Sequence, residues 1–454
     1  MKSRHTMDLT TGPVIKKLLT FAYPLLIANL LQHLYQASDN AVVGKFVGAH
    51  ALGAVSATGS ATTLVLNIIV GFAVGASIVN ANLLGARKQD QLRRSMHNCL
   101  LIAFFGGLTM SSVGILVSRP MLTLMKCPEN YLKDAVTYMR IIFLGTPGTM
   151  LYNFGSGILR THGDSKRPML IMAVSGLVNV LLNLVFVIVF HMSVEGVALA
   201  TIISKYVAAA WVLTILFNPK GEFKLRLKEM KFAPKECGNI IKVGFPCGIN
   251  GIVFSISNVI VQAGVNKLGP DVVSGSGAAN QLTTFIYQIL IAFYSACVSF
   301  TGQCCGASNY KRIRKVLGTS LAVCVSTIAV ICTAYTIWPT FFLRIFTDKE
   351  EVVKTGTVKL VIMCWSYILY AISEIFLGCL RGMKKTAFST FVNIFSICGV
   401  RLLWIWCICP FDPKNAALLY YCYPISYIFS LTALSLYFFS CIRKLERSKI
   451  PQKA

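Results

Sequence analysis

The chain has 454 residues, of which 55% are hydrophobic and only 13% are charged. A soluble core of this composition would leave large apolar surfaces in water, so the composition excludes an ordinary soluble globular protein and indicates a membrane protein. The formal net charge of +26 is compatible with nucleic-acid binding, but the basic residues lie in short segments between apolar stretches and form no single patch. We therefore expect the lipid bilayer as a partner and no nucleic acid.

The apolar stretches predict twelve membrane-spanning helices. Six lie in the first half of the chain, near residues 18–38, 51–82, 96–118, 136–157, 169–190 and 197–217. Six more lie in the second half, near residues 241–265, 274–303, 316–338, 356–380, 388–409 and 416–441. No cleavable signal peptide is evident before the first stretch, which we expect to remain in the mature protein.

The distribution of Lys and Arg tests this topology, because cytoplasmic connections carry the excess of basic residues. The two termini and the connections on their side hold 30 Lys and Arg residues, and the opposite connections hold nine. A missed helix would reverse the bias in every later loop. We therefore expect twelve spans, with both termini in the cytoplasm and the protein in the plasma or inner membrane of the cell.

An internal repeat divides the chain into two halves. A shift of 221 residues matches Gly48 to Gly269 and Gly85-Ala86 to Gly306-Ala307, and nine of the 47 positions from residue 48 to 94 are then identical, against about four expected by chance. Each half holds an even number of spans, so the repeats are parallel. The predicted organisation is an N-terminal lobe (1–217), a basic linker (218–240), a C-terminal lobe (241–441) and a cytoplasmic tail (442–454).

Several segments resemble the multidrug and toxic compound extrusion (MATE) family of cation-coupled antiporters, in order and in spacing. They are PLLIANLLQHLYQASDNAVVGKFVG (24–48), GAR (85–87), LRTHGDSKRP (159–168), GVALAT (196–201), GAANQ (277–281) and LRG (380–382). The resemblance implies an all-α membrane fold of two six-helix bundles arranged in a V. It also implies alternating access, multidrug efflux of small organic cations in exchange for H⁺ or Na⁺, no cofactor, and a monomer. Lipid-linked-precursor flippases of related architecture are the alternative.

Two acidic residues stand out, because fifteen of the seventeen lie in predicted loops, tails or helix ends. The exceptions are Asp39 in the first span and Glu374 in the tenth. A carboxylate within a span is costly and is generally kept for ion pairing, proton relay or ion binding. For Asp39 the alternative is a position near the outer end of its helix, where the side chain reaches water. For Glu374 the alternative is an ion pair with Arg401, which lies within the eleventh span.

The family resemblance implies a cation or proton site in the first lobe at Asp39, Asn179, Asn183 and Thr201. Asn179 and Asn183 are one helical turn apart and project to one face, although an Asn pair also joins packed helices. Some members of the family carry an Asp at the position of Asn183, so the site of this chain lacks one charge by comparison. The amide favours proton coupling over Na⁺, which prefers several hard oxygen ligands. No other metal site is predicted.

Polar and aromatic residues of the first, seventh and eighth spans predict a roomy cavity that binds organic cations weakly, with aromatic faces attracting the charge. The residues assigned to this substrate cavity are Tyr35, Gln36, Asn258, Gln262, Gln281, Tyr287 and Gln288. Interhelical packing is the alternative role for each of them.

A membrane enzyme and an uncoupled channel are the rival classes. An enzyme would need clustered acids, histidines or metal ligands at the membrane surface, whereas the six histidines of this chain are dispersed. The sixteen cysteines lie mainly in apolar stretches without the paired spacing of a metal site, and we interpret them as small buried residues. We therefore expect a transporter and no enzymatic activity.

Overall fold

The computed structural model describes residues 6–125, 127–219, 221–223, 225–412 and 415–447. Eleven helices within these residues are long and apolar enough to cross a membrane. The place of the predicted fourth span is filled by two consecutive shorter helices, Glu129–Leu144 and Thr146–Thr161. We number the helices 1 to 12 in chain order and count this pair as helix 4. The remaining bounds, for helices 1 to 3 and 5 to 12, are Val14–Val47, Ala49–Gly85, Gln89–Leu124, Lys166–Val189, Val194–Leu216, Pro234–Asn266, Pro270–Gly306, Tyr310–Ile337, Glu350–Gly382, Thr386–Phe411 and Ala416–Arg447.

The helices are longer than the apolar stretches that predict them. Helix 1 continues to Val47, so Asp39 lies about two turns before the end of its helix and not at the end. Large apolar side chains such as Leu116, Trp406 and Phe429 are exposed on the outer faces of the helices, as expected of surfaces that contact lipid. A short helix that the sequence did not predict, Pro339–Leu343, precedes helix 10.

The internal repeat is visible in the backbone. The 221-residue shift carries the bounds of helix 2 onto those of helix 8, and the outer bounds of the helix 4 pair onto those of helix 10. It also relates three pairs of residues with positive φ, at the ends of corresponding helices. The pairs are Gly48 (115°) with Gly269 (105°), Arg87 (56°) with Ser308 (54°), and Gly163 (80°) with Lys384 (61°). The two halves therefore share turn geometry as well as helix length.

Helix 4 breaks where its counterpart does not. Pro147 has no backbone N–H and lies in the first turn of the second helix of the pair, a position that tolerates proline. A Cβ atom on the preceding Gly145 would lie 2.5 Å from Cγ2 of Ile202 in helix 6, so glycine permits a close approach there. The shift places Ser366 and Ile368 at these positions of helix 10, which is continuous.

The chain folds into two compact units. Unit 1 comprises Tyr23–Gly248 with the described residues before Leu9, and unit 2 comprises Leu9–Ala22 with the described residues from Ile249 onward. The core of unit 1 is formed by apolar side chains of helices 2 to 6. In unit 2, helices 8 and 10 are central, since 72% and 61% of their most apolar segments are buried. The predicted lobe and linker boundaries at 217, 240 and 441 stay a prediction.

Candidate functional site

The Asp39 carboxylate in helix 1 is held by an amide of helix 5. Nδ2 of Asn183 donates a hydrogen bond of 2.5 Å to Oδ1 of Asp39. The Asn183 side chain is fully buried, and its own Oδ1 has no hydrogen-bond partner among the described residues. An uncommitted buried oxygen beside a carboxylate is a potential acceptor for a proton donor or a small cation.

The other two residues of the predicted coupling site lie beside this pair. Nδ2 of Asn179 is 3.5 Å from Oγ1 of Thr201 in helix 6, and both side chains are within hydrogen-bonding reach of Asp39. The Thr201 hydroxyl also donates to the carbonyl oxygen of Val197, one turn earlier, at 2.9 Å. Unit 1 therefore brings together all four predicted residues, from helices 1, 5 and 6.

Two further groups face Asp39 that sequence reasoning did not assign to the site. Lys205 follows Thr201 by one turn of helix 6, and its ammonium interacts electrostatically with the carboxylate. Tyr138 of helix 4 is buried and also interacts electrostatically with Asp39. No ion pair within 4 Å joins Lys205 to Asp39 in the described part of unit 1. The i, i+4 spacing of Thr201 and Lys205 on one helix face was the available signal.

This arrangement holds one formal negative charge and one nearby positive charge. The carboxylate already accepts the Asn183 amide, while the Asn183 and Thr201 oxygens remain as neutral ligands. Such a site binds and releases one proton with little rearrangement, because a proton needs a single oxygen. Na⁺ needs several oxygens and is repelled by Lys205.

Glu374 lies in a separate buried network in unit 2. Tyr370 and Asn393 are its side-chain hydrogen-bond partners, and Arg381 of the same helix interacts with it electrostatically. Asn393 also donates to Oδ1 of Asn250 at 3.2 Å and accepts from the Ser430 hydroxyl at 3.1 Å. Helices 7, 10, 11 and 12 therefore meet at this carboxylate.

Arg401 does not pair with Glu374, so that alternative interpretation of Glu374 is wrong. In the described part of unit 2, no carboxylate oxygen lies within 4 Å of Arg401. Its Nε donates to Ser426 at 3.2 Å, and its Nη1 is 3.5 Å from Oδ1 of Asn258. The relative rotation of helices 10 and 11, which the sequence does not specify, decides this separation.

Aromatic side chains form a stacked row beside the Glu374 network. Tyr370 stacks on Tyr427 with 4.5 Å between ring centroids and an interplanar angle of 19°. Tyr287 is parallel to Tyr370 at 6.5 Å, and Phe254 is parallel to Tyr287 at 6.2 Å. This aromatic row links helices 7, 8, 10 and 12, and it includes the predicted cavity residue Tyr287.

The remaining predicted cavity residues are divided between the units. In unit 1, the Tyr35 hydroxyl donates to the carbonyl oxygen of Ala173 at 2.9 Å, so it joins helices 1 and 5, and Gln36 is exposed. In unit 2, Gln262 donates to Asn266 of its own helix at 2.9 Å. Gln281 is exposed and Gln288 is buried. The shared substrate cavity stays a prediction.

Comparison with known proteins identifies the family. The chain matches the sequence profile of the MatE family over residues 24–185 and 246–406. A relative named "Probable multidrug resistance protein YoeA", from Bacillus subtilis (strain 168), is 26% identical over 391 residues, which cover 84% of each chain. A relative named "FAD transporter", from Shewanella oneidensis, is 23% identical over 416 residues and 89% of each chain.

A solved structure shares the fold. A MOP superfamily transporter from Pyrococcus furiosus, described as having a binding pocket of reverse polarity, matches with a TM-score of 0.92 at 19% identity, over 98% of this chain and 100% of that one. This likeness confirms the predicted all-α membrane architecture. Because the matched profile spans most of the sequence, the chain belongs to the MatE family of multidrug and toxic compound extrusion transporters, which are multi-pass membrane proteins and not enzymes.

Proposed function

We propose that this protein is a secondary active antiporter that exports small organic compounds by alternating access in exchange for H⁺. The observation that carries the proposal is the site around Asp39, where helices 1, 5 and 6 surround one carboxylate with amide and hydroxyl groups. A carboxylate in such a place binds either a proton or a cationic group. Exchange then follows from competition between two ligands for one group.

The charge of the site supports H⁺ over Na⁺ as the coupling ion. Asn183 supplies a neutral amide to Asp39, and Lys205 adds a positive charge close by. A bound Na⁺ would be repelled by Lys205 and would have only one formal anion as a ligand. A proton neutralises Asp39 without needing further ligands. Glu374, surrounded by Tyr370 and Asn393 in unit 2, is the second candidate for the coupling group.

The substrates we propose are small organic compounds, and cations are favoured by the carboxylates and by the aromatic row. Lipid-linked precursors remain the alternative. The excess of Lys and Arg on the connections that share a side with the termini supports a cytoplasmic location for both termini. The proposed export therefore runs from the side of the termini to the opposite side. We further propose the plasma or inner membrane as the location and a monomer as the working form.

Efflux from proteoliposomes tests the proposal. The protein is reconstituted with the fluorescent cation ethidium inside, and H⁺ and Na⁺ gradients are imposed separately. We expect a proton gradient to drive efflux and a sodium gradient to have little effect. Asp39→Asn should abolish the gradient-driven part, and Glu374→Gln should reduce it.

Matched controls use the same chemical changes at exposed positions, Asp90→Asn at the start of helix 3 and Glu351→Gln at the start of helix 10. Both should retain wild-type efflux. If Asp39→Asn and Glu374→Gln each kept full gradient-driven efflux, the proposed carboxylate coupling would be abandoned. Efflux driven by a Na⁺ gradient alone would identify Na⁺, and not H⁺, as the coupling ion.

A further inference from the structure

The interior of unit 2 carries more positive than negative charge. Its buried charged side chains, among the described residues, are Lys359, Glu374, Arg381 and Arg401. The acid, Glu374, interacts electrostatically with Arg381. Lys359 donates to the Ser276 hydroxyl at 2.5 Å and lies over the ring of Tyr420, so a neutral group satisfies it. A buried cation without an acid is costly in a membrane and is generally kept for a functional reason.

Arg401 is the buried cation with unused hydrogen-bonding capacity. Only 1% of it is exposed. Its Nη2, which carries two N–H donors, has no hydrogen bond within 3.5 Å in the described part of the chain, and the Tyr427 hydroxyl lies within hydrogen-bonding reach of the guanidinium. Buried donors of this kind are rare and generally mark a place for a water, an ion or a ligand. A guanidinium presents its N–H groups in a fork that fits a carboxylate or phosphate better than it fits water.

The surroundings of Arg401 fit an aromatic anion. The guanidinium lies 4.5 Å from the ring centroid of Tyr423 and 5.3 Å from that of Tyr427. Tyr427 belongs to the aromatic row, so flat π-faces adjoin the cation. Nη1 approaches Asn258, whose side chain is exposed. The guanidinium therefore lies one side chain away from a solvent-accessible position on helix 7.

We propose that Arg401, with Asn258 and the faces of Tyr423 and Tyr427, forms a recognition site for the carboxylate or phosphate group of an aromatic organic anion. This inference rests on the proposed transport function and extends its substrates beyond cations. Nη2 donates to the anionic group, and the tyrosine faces contact the aromatic part. Asn258 forms the entrance to the site.

Binding to the purified protein tests this site without requiring transport. The probes are carboxyfluorescein, an aromatic carboxylate, and ethidium, an aromatic cation, measured by fluorescence anisotropy. Arg401→Gln should weaken carboxyfluorescein binding at least about tenfold, because a charge-assisted hydrogen bond to the anionic group is lost. Ethidium binding should stay within about twofold. Arg401→Lys keeps the charge and should restore part of the carboxyfluorescein affinity.

A second variant tests the site even if Arg401→Gln misfolds. Asn258→Asp places a carboxylate beside the guanidinium at an exposed position, so it should compete with the probe and abolish carboxyfluorescein binding. Asn309→Asp is the matched control, since Asn309 is the exposed N-cap of helix 9, where Asp caps equally well. It should bind carboxyfluorescein as the wild type does.

The possible results separate the two proposals. Equal losses of both probes in Arg401→Gln and in Asn258→Asp would assign Arg401 a structural role and overturn the site. So would unchanged carboxyfluorescein binding in Asn258→Asp. Neither result changes the expectation that the wild-type protein exports ethidium in response to a proton gradient. Conversely, charge-selective binding in a protein without gradient-driven efflux would retain the anion site and reject the antiporter.

Discussion

The amide Nδ2 of Asn183 in helix 5 donates to the Asp39 carboxylate in helix 1 across a distance of 2.5 Å. Replacing this amide by a carboxylate isolates the effect of charge. Asn183→Asp places a second acid beside Asp39, so the site should bind Na⁺ more tightly, by about tenfold in half-saturating concentration. Sodium-driven ethidium efflux measures the change. Asn130→Asp, the same substitution at an exposed residue, should leave the sodium response at the wild-type level.

Removal of the Lys205 charge should have an effect in the same direction. Lys205→Met keeps a long side chain and removes the positive charge that interacts with Asp39. We expect a gain in sodium-dependent efflux similar in direction to that of Asn183→Asp. The double variant Asn183→Asp with Lys205→Met should show more sodium-dependent efflux than either single variant, because the two changes alter the charge of one site. If none of the three variants responded to sodium, neither Lys205 nor Asn183 would determine which ion the site binds.

The break in helix 4 predicts that alanine substitutions at two glycines of unit 1 have different effects on the stability of the protein. A Cβ atom at Gly145 would lie 2.5 Å from Ile202, whereas one at Gly59 in helix 2 meets no atom within 4 Å. Gly145→Ala should destabilise the protein by about 1–3 kcal/mol through overpacking. Gly59→Ala should be neutral or stabilising by about 0.5–1 kcal/mol, since alanine favours a helix. Thermal unfolding in detergent compares them, and an equal melting temperature would contradict the close approach at Gly145.

His162, which follows helix 4, predicts a pH dependence of stability. Burial lowers the pKa of His162, although the Ile158 carbonyl and Glu222 oppose the shift, and its ring packs on Phe223 at 4.8 Å. The folded state therefore binds a proton less readily than the unfolded state. Its contribution to stability is present above the unfolded pKa of about 6.5 and is lost as the pH falls toward the folded value.

Comparison with His162→Gln isolates this contribution. The melting temperature of the wild type should fall more steeply between pH 7 and pH 5 than that of the variant. Loss of the ring contact lowers the melting temperature of the variant by a constant amount at every pH. Only the difference in slope between the two curves is therefore informative. Parallel curves would show that His162 does not titrate between these values.

Arg312 in helix 9 fixes the segment before helix 1 within unit 2. Its Nε, Nη1 and Nη2 donate to the carbonyl oxygens of Leu9, Gly12 and Thr11 at 3.0, 2.9 and 2.6 Å. Arg312→Lys cannot reach three carbonyls with one ammonium, so hydrogen exchange at Leu9, whose N–H binds Gln303, should accelerate. Exchange measured by mass spectrometry tests this effect. Lys311→Gln, which changes the exposed neighbour, should leave the rate unchanged.

The sequence predicted the helices well, because each apolar stretch must cross a bilayer of fixed thickness. It did not predict the break at Gly145, since Pro147 is tolerated inside membrane helices as well as at helix starts. Asp39, Asn179, Asn183 and Thr201 were identified together only through the family resemblance. Their separations depend on how three helices rotate against one another.

The same limitation explains the errors and omissions in the candidate site. Glu374 and Arg401 carry opposite charges on helices that are consecutive in the sequence, so an ion pair between them was the alternative interpretation of Glu374. The structure instead places Arg401 against Ser426, Asn258 and two tyrosines. Lys205 was not assigned to the site, because its spacing from Thr201 places both residues on one face of helix 6 but does not show which carboxylate that face meets.

The matched turns after helices 4 and 10 show what the two halves have in common. Gly163 has φ of 80° and Lys384, its counterpart, has φ of 61°. Glycine adopts this conformation freely, whereas a lysine there is strained by roughly 1–2 kcal/mol. The chain therefore takes the same direction after both helices, although only the first half has the residue that adopts this conformation without strain. At these turns the path of the backbone, more than the identity of the side chains, is what the two halves share.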